Sequence, residues 1–581
     1  GVEEDNEQAF QWFAKSAEDG YARAIQLLGE CYDRGYGVEP DVEKAVQLYQ
    51  QASDKGNVPG MCALGLCYEL GRGIQEDKDK ARELYLKAAE RGYPRAQCNL
   101  GFFYYQGIGV KEDDQEAVKW FQKAAGQDYP RAMQLLGECY ENGYGVEKDL
   151  TKAVELYTKA HQAGYVPATC ALGVCYEYGD GVERDLSKAV ELYRQAAEQG
   201  YPRGQCNLGY CYYQGVGVAE DDGEAAKWFA RAAEQEYPRA MCLLAECYED
   251  GNGLEKDTDK ALMWYRKAAE EGYPPAQCSL GVCYYQGIGV EEDNDQAVYW
   301  FEKAAARGYP RAVQLLGECY ENGYGVAKNI QKAVELYQEA HASGNPSATC
   351  SLGLCYELGM GVQEDKARAV ELYRQAAERG LSRAQCNLGF CFYEGIGVVV
   401  DYDQAFYWFR QSAEQGNYRG LCMLGLCYEL GRGVMEDTQK AVQYYRQAAA
   451  GGSVAGMCNL GYCFYTGIGV DVDEAEAVQW FQKAADCGQP RALFLLGECY
   501  ENGSGVPENL DKAREYYQQA ADKGYQSAQE ALQRLNGAPA PAAPSSYTYL
   551  PPQPAPPAPA PQPPKAKEKP KRGGLLGFFK K

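Results

Sequence analysis

The sequence predicts an all-α fold, a right-handed αα-solenoid built from 36-residue helix-turn-helix repeats. A glycine in the dipeptide "LG" recurs along the 581-residue chain from Gly29 to Gly497, and Ala245 takes its place once. Every step is 36 residues, which gives fourteen repeats without an insertion. Such regularity indicates stacked modules, each burying an apolar face only against its neighbours. Positions below are counted from this marker glycine.

The first half of each repeat predicts a short helix, helix A. In the fourth repeat, Ala132, Leu136, Cys139 and Tyr140 fall on one face of a helix at the spacing of buried residues. Gly143 at position +6 suits the left-handed residue that ends a helix. Helix A is therefore expected to end at the first glycine of the "GxG" loop.

The second half of each repeat predicts helix B. An Asp or Asn at position +12, such as Asp149, can accept the free backbone N–H groups at the start of "KAVELYTKA". Helix B ends near a glycine such as Gly164, and a proline often follows closely and can begin the next helix. Each repeat is thus predicted to be a helical hairpin.

Three regions follow from the composition. Residues 1–536 form the predicted solenoid of about 14–15 repeats, which opens in mid-repeat because its first residues match the second half of the repeat at 289–309. Residues 537–564 are rich in Pro and Ala and predict an extended, disordered linker. Residues 565–581 predict a basic tail with an apolar tip.

The recurring pattern "A-x-x-x-LG-x-x-Y-x-x-G-x-GV-x-x-D-x-x-KA-x-x-[LW]-[YF]-x-x-AA-x-x-G" resembles the Sel-one-like repeat, a relative of the tetratricopeptide repeat. The resemblance covers residues 1–536. It implies a non-enzymatic scaffold or adaptor for protein or peptide partners, without naming the partner. It also leaves open a secreted or surface-displayed protein that interacts with a host.

Positions −3, +1 and +4 of helix A lie opposite its core side at 100° per residue, so we expect them to be exposed. In solenoids of this kind, helix A lines the concave surface. Acidic repeats carry Glu at +1 and Glu or Asp at +4, mixed repeats carry an aliphatic residue and Glu, and aromatic repeats carry Tyr at +4 and, except for Val282, an aromatic residue at +1. These positions therefore predict an acidic and aromatic groove.

Twelve residues of this groove are predicted to bind the partner. A tyrosine recurs at +4 in five repeats, and a row of rings away from the core often marks a contact surface. Two alternatives stay open: the glutamates form only a solvated face, and the rings wedge between neighbouring A helices. The predicted residues are Tyr105, Tyr213, Tyr285, Tyr393, Tyr465, Tyr210, Glu138, Glu141, Glu177, Glu318, Glu321 and Glu357.

The cysteines do not predict a disulfide framework. Of twenty-four, thirteen lie at +2 and ten at −3, and Cys487 stands elsewhere. Two cysteines five apart on one helix cannot bridge, so we expect reduced thiols, buried at +2 and accessible in the groove at −3. Reduced thiols favour a cytoplasmic, bacterial-type setting. A thiol-lined metal or redox groove is the alternative.

The sequence predicts no enzyme and no cofactor. It has neither a CxxC pair nor Cys and His at close spacing, which metal sites commonly use. The two histidines, His161 and His341, stand in matching segments near the end of helix B. Fourteen near-copies of one surface are poor evidence for a single active site.

Charge separates the solenoid from the tail. The whole chain carries −24, and residues 565–581 carry seven basic side chains and one acidic one, so the rest carries −30. Such a surface disfavours nucleic acid. The tail predicts weak contact with an anionic membrane, docking into the groove of its own or a sister molecule, or a merely solvated segment. Its candidate contact residues are Lys569, Lys571, Arg572, Leu575, Leu576, Phe578 and Phe579.

Overall fold

The computed structural model describes residues 5–535, and within that range the chain folds into thirty helices without a strand. The predicted all-α solenoid of paired helices is confirmed for these residues. Contacts divide the chain into two compact units, Gly1–Glu271 and Gly272–Lys581, here called the first and second halves. Helices α1–α15 belong to the first half and α16–α30 to the second.

Each repeat supplies one even-numbered helix A and one odd-numbered helix B, while α1 has the sequence of a helix B and α30 that of a helix A. Helices α2/α3 form the first repeat and α28/α29 the fourteenth. The helices are α1 (Asn6–Glu18), α2 (Ala22–Arg34), α3 (Val42–Asp54), α4 (Val58–Leu70), α5 (Lys78–Glu90), α6 (Pro94–Gln106), α7 (Asp114–Ala125), α8 (Pro130–Asn142), α9 (Leu150–Gln162), α10 (Val166–Tyr178), α11 (Leu186–Glu198), α12 (Pro202–Gln214), α13 (Asp222–Glu234), α14 (Pro238–Asp250), α15 (Thr258–Glu270), α16 (Pro274–Gln286), α17 (Asn294–Ala305), α18 (Pro310–Asn322), α19 (Ile330–Ala342), α20 (Pro346–Leu358), α21 (Lys366–Glu378), α22 (Ser382–Glu394), α23 (Tyr402–Glu414), α24 (Tyr418–Leu430), α25 (Thr438–Ala450), α26 (Val454–Thr466), α27 (Glu474–Asp486), α28 (Pro490–Asn502), α29 (Leu510–Asp522) and α30 (Gln526–Leu535).

The predicted helix ends are confirmed. In the fourth repeat, the Asp149 carboxylate accepts the Lys152 backbone N–H at 3.0 Å and caps α9. Gly143 ends α8 in the left-handed conformation, with φ of +80°. Pro130 begins α8. The helix boundaries are thus set by residues within a few positions of each end.

The second glycine of the "GxG" loop holds neighbouring repeats close together. Gly145, with φ of +66°, lies against the start of helix B in the preceding repeat. A Cβ at Gly145 would come within 2.3 Å of the Asp114 carbonyl oxygen, and one at Gly181 within 2.3 Å of the Leu150 carbonyl oxygen. The loop therefore needs glycine both for its backbone angle and for its space.

The core fills the space between each helix A and the B helices on either side of it. Leu136 and Cys139 on α8 pack in one buried cluster with Phe121 on α7 of the preceding repeat. The marker glycine, Gly137, lies against helix B of its own repeat, because a Cβ there would lie 2.5 Å from Cε1 of the buried Tyr157 ring on α9. The absence of a side chain at the marker position lets the two helices approach.

Replacing Gly145 with Ala should destabilise the protein more than replacing Gly164 with Ala. Both glycines have positive φ, so each substitution strains the backbone by about 1–2 kcal/mol. Only Gly145→Ala also forces a clash, since nothing lies within 4 Å of a Cβ at Gly164. We expect an additional cost of about 1–3 kcal/mol for overpacking. Urea unfolding followed by circular dichroism measures the difference, and equal midpoints for the two variants would contradict it.

Candidate functional site

The carboxylates at position +4 are bound inside their own repeat. Glu141 Oε2 accepts a hydrogen bond from Tyr157 Oη at 2.8 Å, which links the end of α8 to the buried face of α9. Seven more repeats make the same bond at 2.5–2.7 Å. The accepting residues are Glu69, Glu177, Glu249, Glu321, Glu357, Glu429 and Glu501. The prediction of an exposed carboxylate is wrong for Glu177, which is buried, and the others are half-buried.

The tyrosines at +4 pack on a phenylalanine instead. Tyr105, Tyr213, Tyr393 and Tyr465 lie against the ring at +20 of the same repeat, with ring centroids 6.1–6.4 Å apart. Across all fourteen repeats, an acid at +4 accompanies Tyr at +20, and Tyr at +4 accompanies Phe at +20. A carboxylate at +4 beside Phe at +20 would have no hydroxyl donor on that ring, whereas a tyrosine at +4 packs its own ring against the Phe ring.

The same tyrosines also reach the next repeat. Tyr105 meets the Tyr144 ring at 6.0 Å, and Tyr213 Oη accepts from Asn252 Nδ2 at 3.4 Å. Tyr393 Oη accepts from Arg432 Nη1 at 2.5 Å. The prediction of an exposed row of rings is wrong for Tyr213 and Tyr393, which are buried, while Tyr105, Tyr285 and Tyr465 are half-buried. The rings wedge between neighbouring repeats, and their role in partner binding stays a prediction.

Position −3 is buried in thirteen of the fourteen repeats, and Gln134 is the half-buried exception. Cys170 Sγ accepts from Asn207 Nδ2 of the next repeat at 3.6 Å, so this side of helix A faces the neighbouring helix A. The expected accessible thiols at −3 are therefore wrong. Burial raises the pKa of the Cys62 and Cys98 thiols to about 12, which keeps them protonated. Of the twenty-four cysteines, only Cys487 is exposed.

Position +1 keeps partial access to solvent in twelve of the fourteen repeats, against eleven at position +4. Its side chains are half-buried in every repeat except those of Val174 and Leu426, which are buried. Glu138, Tyr210 and Glu318 therefore keep part of their side-chain surface accessible to solvent, but less of it than the sequence predicted.

Arginines at −6 are the residues of this face that sequence reasoning missed. The Arg131 guanidinium lies 5.5 Å from the centre of the Phe102 ring at +1 of the preceding repeat and donates to Asn99 Oδ1 at 3.2 Å. Arg239, Arg419 and Arg491 repeat both contacts. The signal was present, because each Asn at −2 is followed 32 residues later by Arg.

Three glutamates at +1 of the acidic repeats, Glu138, Glu318 and Glu498, have raised pKa values. Burial raises the pKa of Glu138 to about 7, and Glu141 adds to the rise while Arg203 opposes it. Burial likewise raises the pKa of Glu318 and of Glu498 to about 7. Gln134 Nε2 donates to Glu138. These carboxylates therefore change charge near neutral pH.

The two histidines, the remaining candidates for chemistry, make contacts within the fold. His161 Nδ1 lies 2.8 Å from Thr169 Oγ1, and His341 Nδ1 lies 2.9 Å from Thr349 Oγ1, so each ring ties helix B to the next helix A. Among residues 5–535, no group of three or more His, Cys, Asp and Glu side chains is placed to hold a metal ion. Within the same range, the helices are too short and too polar to cross a membrane. The tail candidates at 569–579 lie outside the described residues.

The family model of the Sel1 repeat matches this chain in fifteen consecutive segments. They are residues 1–21, 22–57, 58–93, 94–129, 130–165, 166–201, 202–237, 238–273, 274–309, 310–345, 346–381, 382–417, 419–453, 454–489 and 490–525. The chain is a member of the Sel1-repeat family. The resemblance inferred from the sequence pattern is thereby confirmed.

Two solved structures resemble this Sel1-repeat chain above 30% identity. The first is c5321, described as a protective antigen present in uropathogenic Escherichia coli strains and displaying an SLR fold. It is 35% identical, with a TM-score of 0.50, and the match covers 76% of this chain and 96% of that one. A Sel1 repeat protein from Oxalobacter formigenes is 32% identical, with a TM-score of 0.39, over 42% of this chain and 96% of that one. No curated protein sequence matches the chain. Sel1-repeat solenoids generally mediate protein–protein interaction.

A double-mutant cycle should show that +4 and +20 are coupled in this Sel1-repeat chain. Tyr157→Phe alone leaves the half-buried Glu141 without its tyrosine donor, at a cost of about 1–3 kcal/mol. Adding Glu141→Tyr creates the pair found in aromatic repeats and should restore part of that stability, with a coupling of about 1–3 kcal/mol. Denaturant unfolding measures the cycle. The exposed Glu155, changed to Tyr together with Tyr157→Phe, is the control and should be additive.

Glu138, Glu318 and Glu498 should make the Sel1 solenoid less stable as pH rises. An ordinary Glu titrates near 4.5 when unfolded and Glu138 near 7 when folded, so the folded state binds more protons between these values. Stability should therefore fall from pH 5 to pH 8, and Glu138→Gln should remove part of that fall. We expect a gain of about 1–3 kcal/mol at pH 8 and almost none at pH 5. Thermal unfolding at both pH values tests this, with Glu155→Gln as the exposed control; equal pH slopes for all three proteins would refute it.

Proposed function

We propose that this Sel1-repeat protein is a non-enzymatic scaffold that binds protein or peptide partners along the face formed by its A helices. The observation that carries the proposal is the line of side chains at +1, one in each repeat and mostly half-buried. Aromatic and arginine side chains at protein interfaces often contribute most of the binding free energy. A partner extended along the A helices of either half would meet a new side chain at every repeat of that half.

The charges of this line favour a partner with basic residues. Glu138 and Glu318 sit at +1 with raised pKa values, and a Lys or Arg of the partner would stabilise their ionised form. In the first half, Phe102 and Tyr210 at the same position offer rings already contacted by arginines. Binding should weaken with salt, because the attraction is partly electrostatic. The predicted Tyr and Glu residues at +4, half-buried in most repeats, adjoin this line of side chains on the surface of helix A.

The same proposal covers the cellular compartment of the protein and its relation to nucleic acid, cofactors and membranes. Buried, protonated thiols suit a reducing cytoplasm, and the net −30 of the chain outside residues 565–581 disfavours nucleic acid. No cofactor is needed for this function. A weak membrane contact of the basic tail, one of the three uses that the sequence leaves open for it, would make the protein membrane-peripheral.

A second candidate is a secreted or surface-displayed protein that interacts with a host. It is favoured by the 35% identity to the Escherichia coli structure described as a protective antigen. Digestion of intact producing cells with an added protease separates the two. Loss of the protein from intact cells would support surface display, whereas its survival until the cells are lysed would support the cytoplasmic setting.

Panning a random peptide library tests the scaffold proposal. The wild-type protein should enrich peptides containing Lys or Arg, and binding of the enriched peptides should fall when Glu138, Glu318 and Glu498 are changed to Gln. A loss of about tenfold corresponds to 1.4 kcal/mol and is within the range of such contacts.

The matched control replaces three glutamates on B helices instead of A helices. Glu155, Glu335 and Glu371 are exposed on B helices, and their change to Gln replaces the same number of carboxyl groups. Equal binding of the enriched peptides to both triple variants would mean that helix A is not the recognition face. Failure to enrich any peptide would overturn the peptide-binding proposal.

A further inference from the structure

Three consecutive loops near the end of the described chain carry exposed aliphatic side chains. Val399 and Met435 are each 87% exposed and Val472 is 60% exposed. With Val400, which is 46% exposed, they form what we call the edge patch. They occupy positions +10 and +11, between helix A and helix B of repeats 11–13, where the other eleven repeats have no Val, Leu, Ile or Met. The patch is therefore a local departure from the repeat.

The three loops are neighbours in space. Gly433 in the second loop lies on the start of α23, where a Cβ would be 2.0 Å from the Tyr402 carbonyl oxygen. Gly469 in the third loop lies on the start of α25 in the same way, 2.2 Å from the Thr438 carbonyl oxygen. At about 8–10 Å between packed helices, the patch extends roughly 20 Å along one edge of the second half.

Acidic and aromatic groups surround the patch. Asp403, Glu436 and Asp471 are exposed carboxylates within four residues of its members. Tyr402 is 37% exposed and has the Arg432 guanidinium 5.0 Å from its ring centre. A segment that combines aliphatic or aromatic side chains with positive charge would complement this surface.

One segment of this chain has that chemistry and is within reach. Lys569, Lys571 and Arg572 precede the apolar residues of "LLGFF" at 575–579. Forty residues separate Leu575 from Leu535, the last residue of α30, and at most about 3.3 Å each they can span about 130 Å. The patch lies two to four repeats from α30, or roughly 20–40 Å at the usual spacing of packed helices.

We propose that residues 569–579 dock on the edge patch of the same molecule. The apolar side chains of 575–579 cover Val399, Val400, Met435 and Val472, and the basic residues lie among the surrounding carboxylates. A tether of this kind gives an effective concentration of about 1 mM, so a site with a dissociation constant of about 0.1 mM is filled about ten times more often than it is empty. The proposal does not rest on the scaffold function, since it concerns loops and not the face of helix A.

Limited trypsin digestion of the full chain tests the docking. Cleavage after Lys571 and Arg572 should be about tenfold faster in Val399→Glu/Met435→Glu than in the wild type, because the tail is released. Ala327→Glu/Gln363→Glu adds the same charge at position +10 of repeats 9 and 10 and should leave the cleavage rate unchanged. All four side chains are exposed, and circular dichroism checks that each variant folds.

A reciprocal measurement completes the test. Leu575→Ser/Phe578→Ser should raise hydrogen exchange in residues 396–402 and 431–437, and should not change exchange in residues 324–329. Equal cleavage of the wild type and the patch variant would overturn the proposal. Protection that grows with protein concentration would assign the patch to a second copy and also overturn it. So would protection that appears only on vesicles of phosphatidylglycerol, which would assign the tail to a membrane.

Discussion

The structure depends on the close contact between the marker glycine of helix A and the ring at +20 of helix B. A Cβ at Gly137 would lie 2.5 Å from Tyr157 Cε1, and equivalent distances below 3 Å recur along the chain. This contact sets the separation of the two helices, and the ring is fully buried in almost every repeat. It also fixes what can occupy +4, since that side chain ends on the far edge of the ring. The seventh repeat keeps the ring but has Ala245 at the marker position, so the contact has some tolerance.

The same arrangement explains which parts of the molecule the sequence predicts well. Helix ends depend on neighbours in the chain, so Asp149 and Gly143 identified them correctly. The stripe at −3, +1 and +4 needed more information than a helical projection contains. A projection separates a core side from its opposite, whereas helix A packs between its own helix B and the preceding helix B and also lies beside the A helices before and after it. Cys170 and Tyr213 face these neighbours and are therefore buried.

The side-chain pairs that link different helices can nevertheless be recognised in the sequence. The correlated change of Glu141 with Tyr157, and of Tyr105 with Phe121, is visible when the fourteen repeats are compared position by position. The link between Asn99 and Arg131 is visible in the same way. Burial at −3 and the raised pKa of Glu138 were not predictable, because both depend on how tightly successive repeats pack. Comparing the repeats thus identifies which side chains contact each other, whereas the solvent exposure of each side chain depends on the packing that the structure shows.

The bond between the +4 acid and the +20 tyrosine begins and ends within one hairpin. A gene that duplicates or deletes a whole hairpin therefore leaves no carboxylate without its hydroxyl, and a ring pair moves intact as well. Only the weaker contacts from +4 to the following loop must be re-made, and Tyr105, Tyr213 and Tyr393 already do so with three different neighbours. Array length can consequently change by recombination at little energetic cost, which lets such a chain lengthen or shorten its binding surface without redesigning its interior.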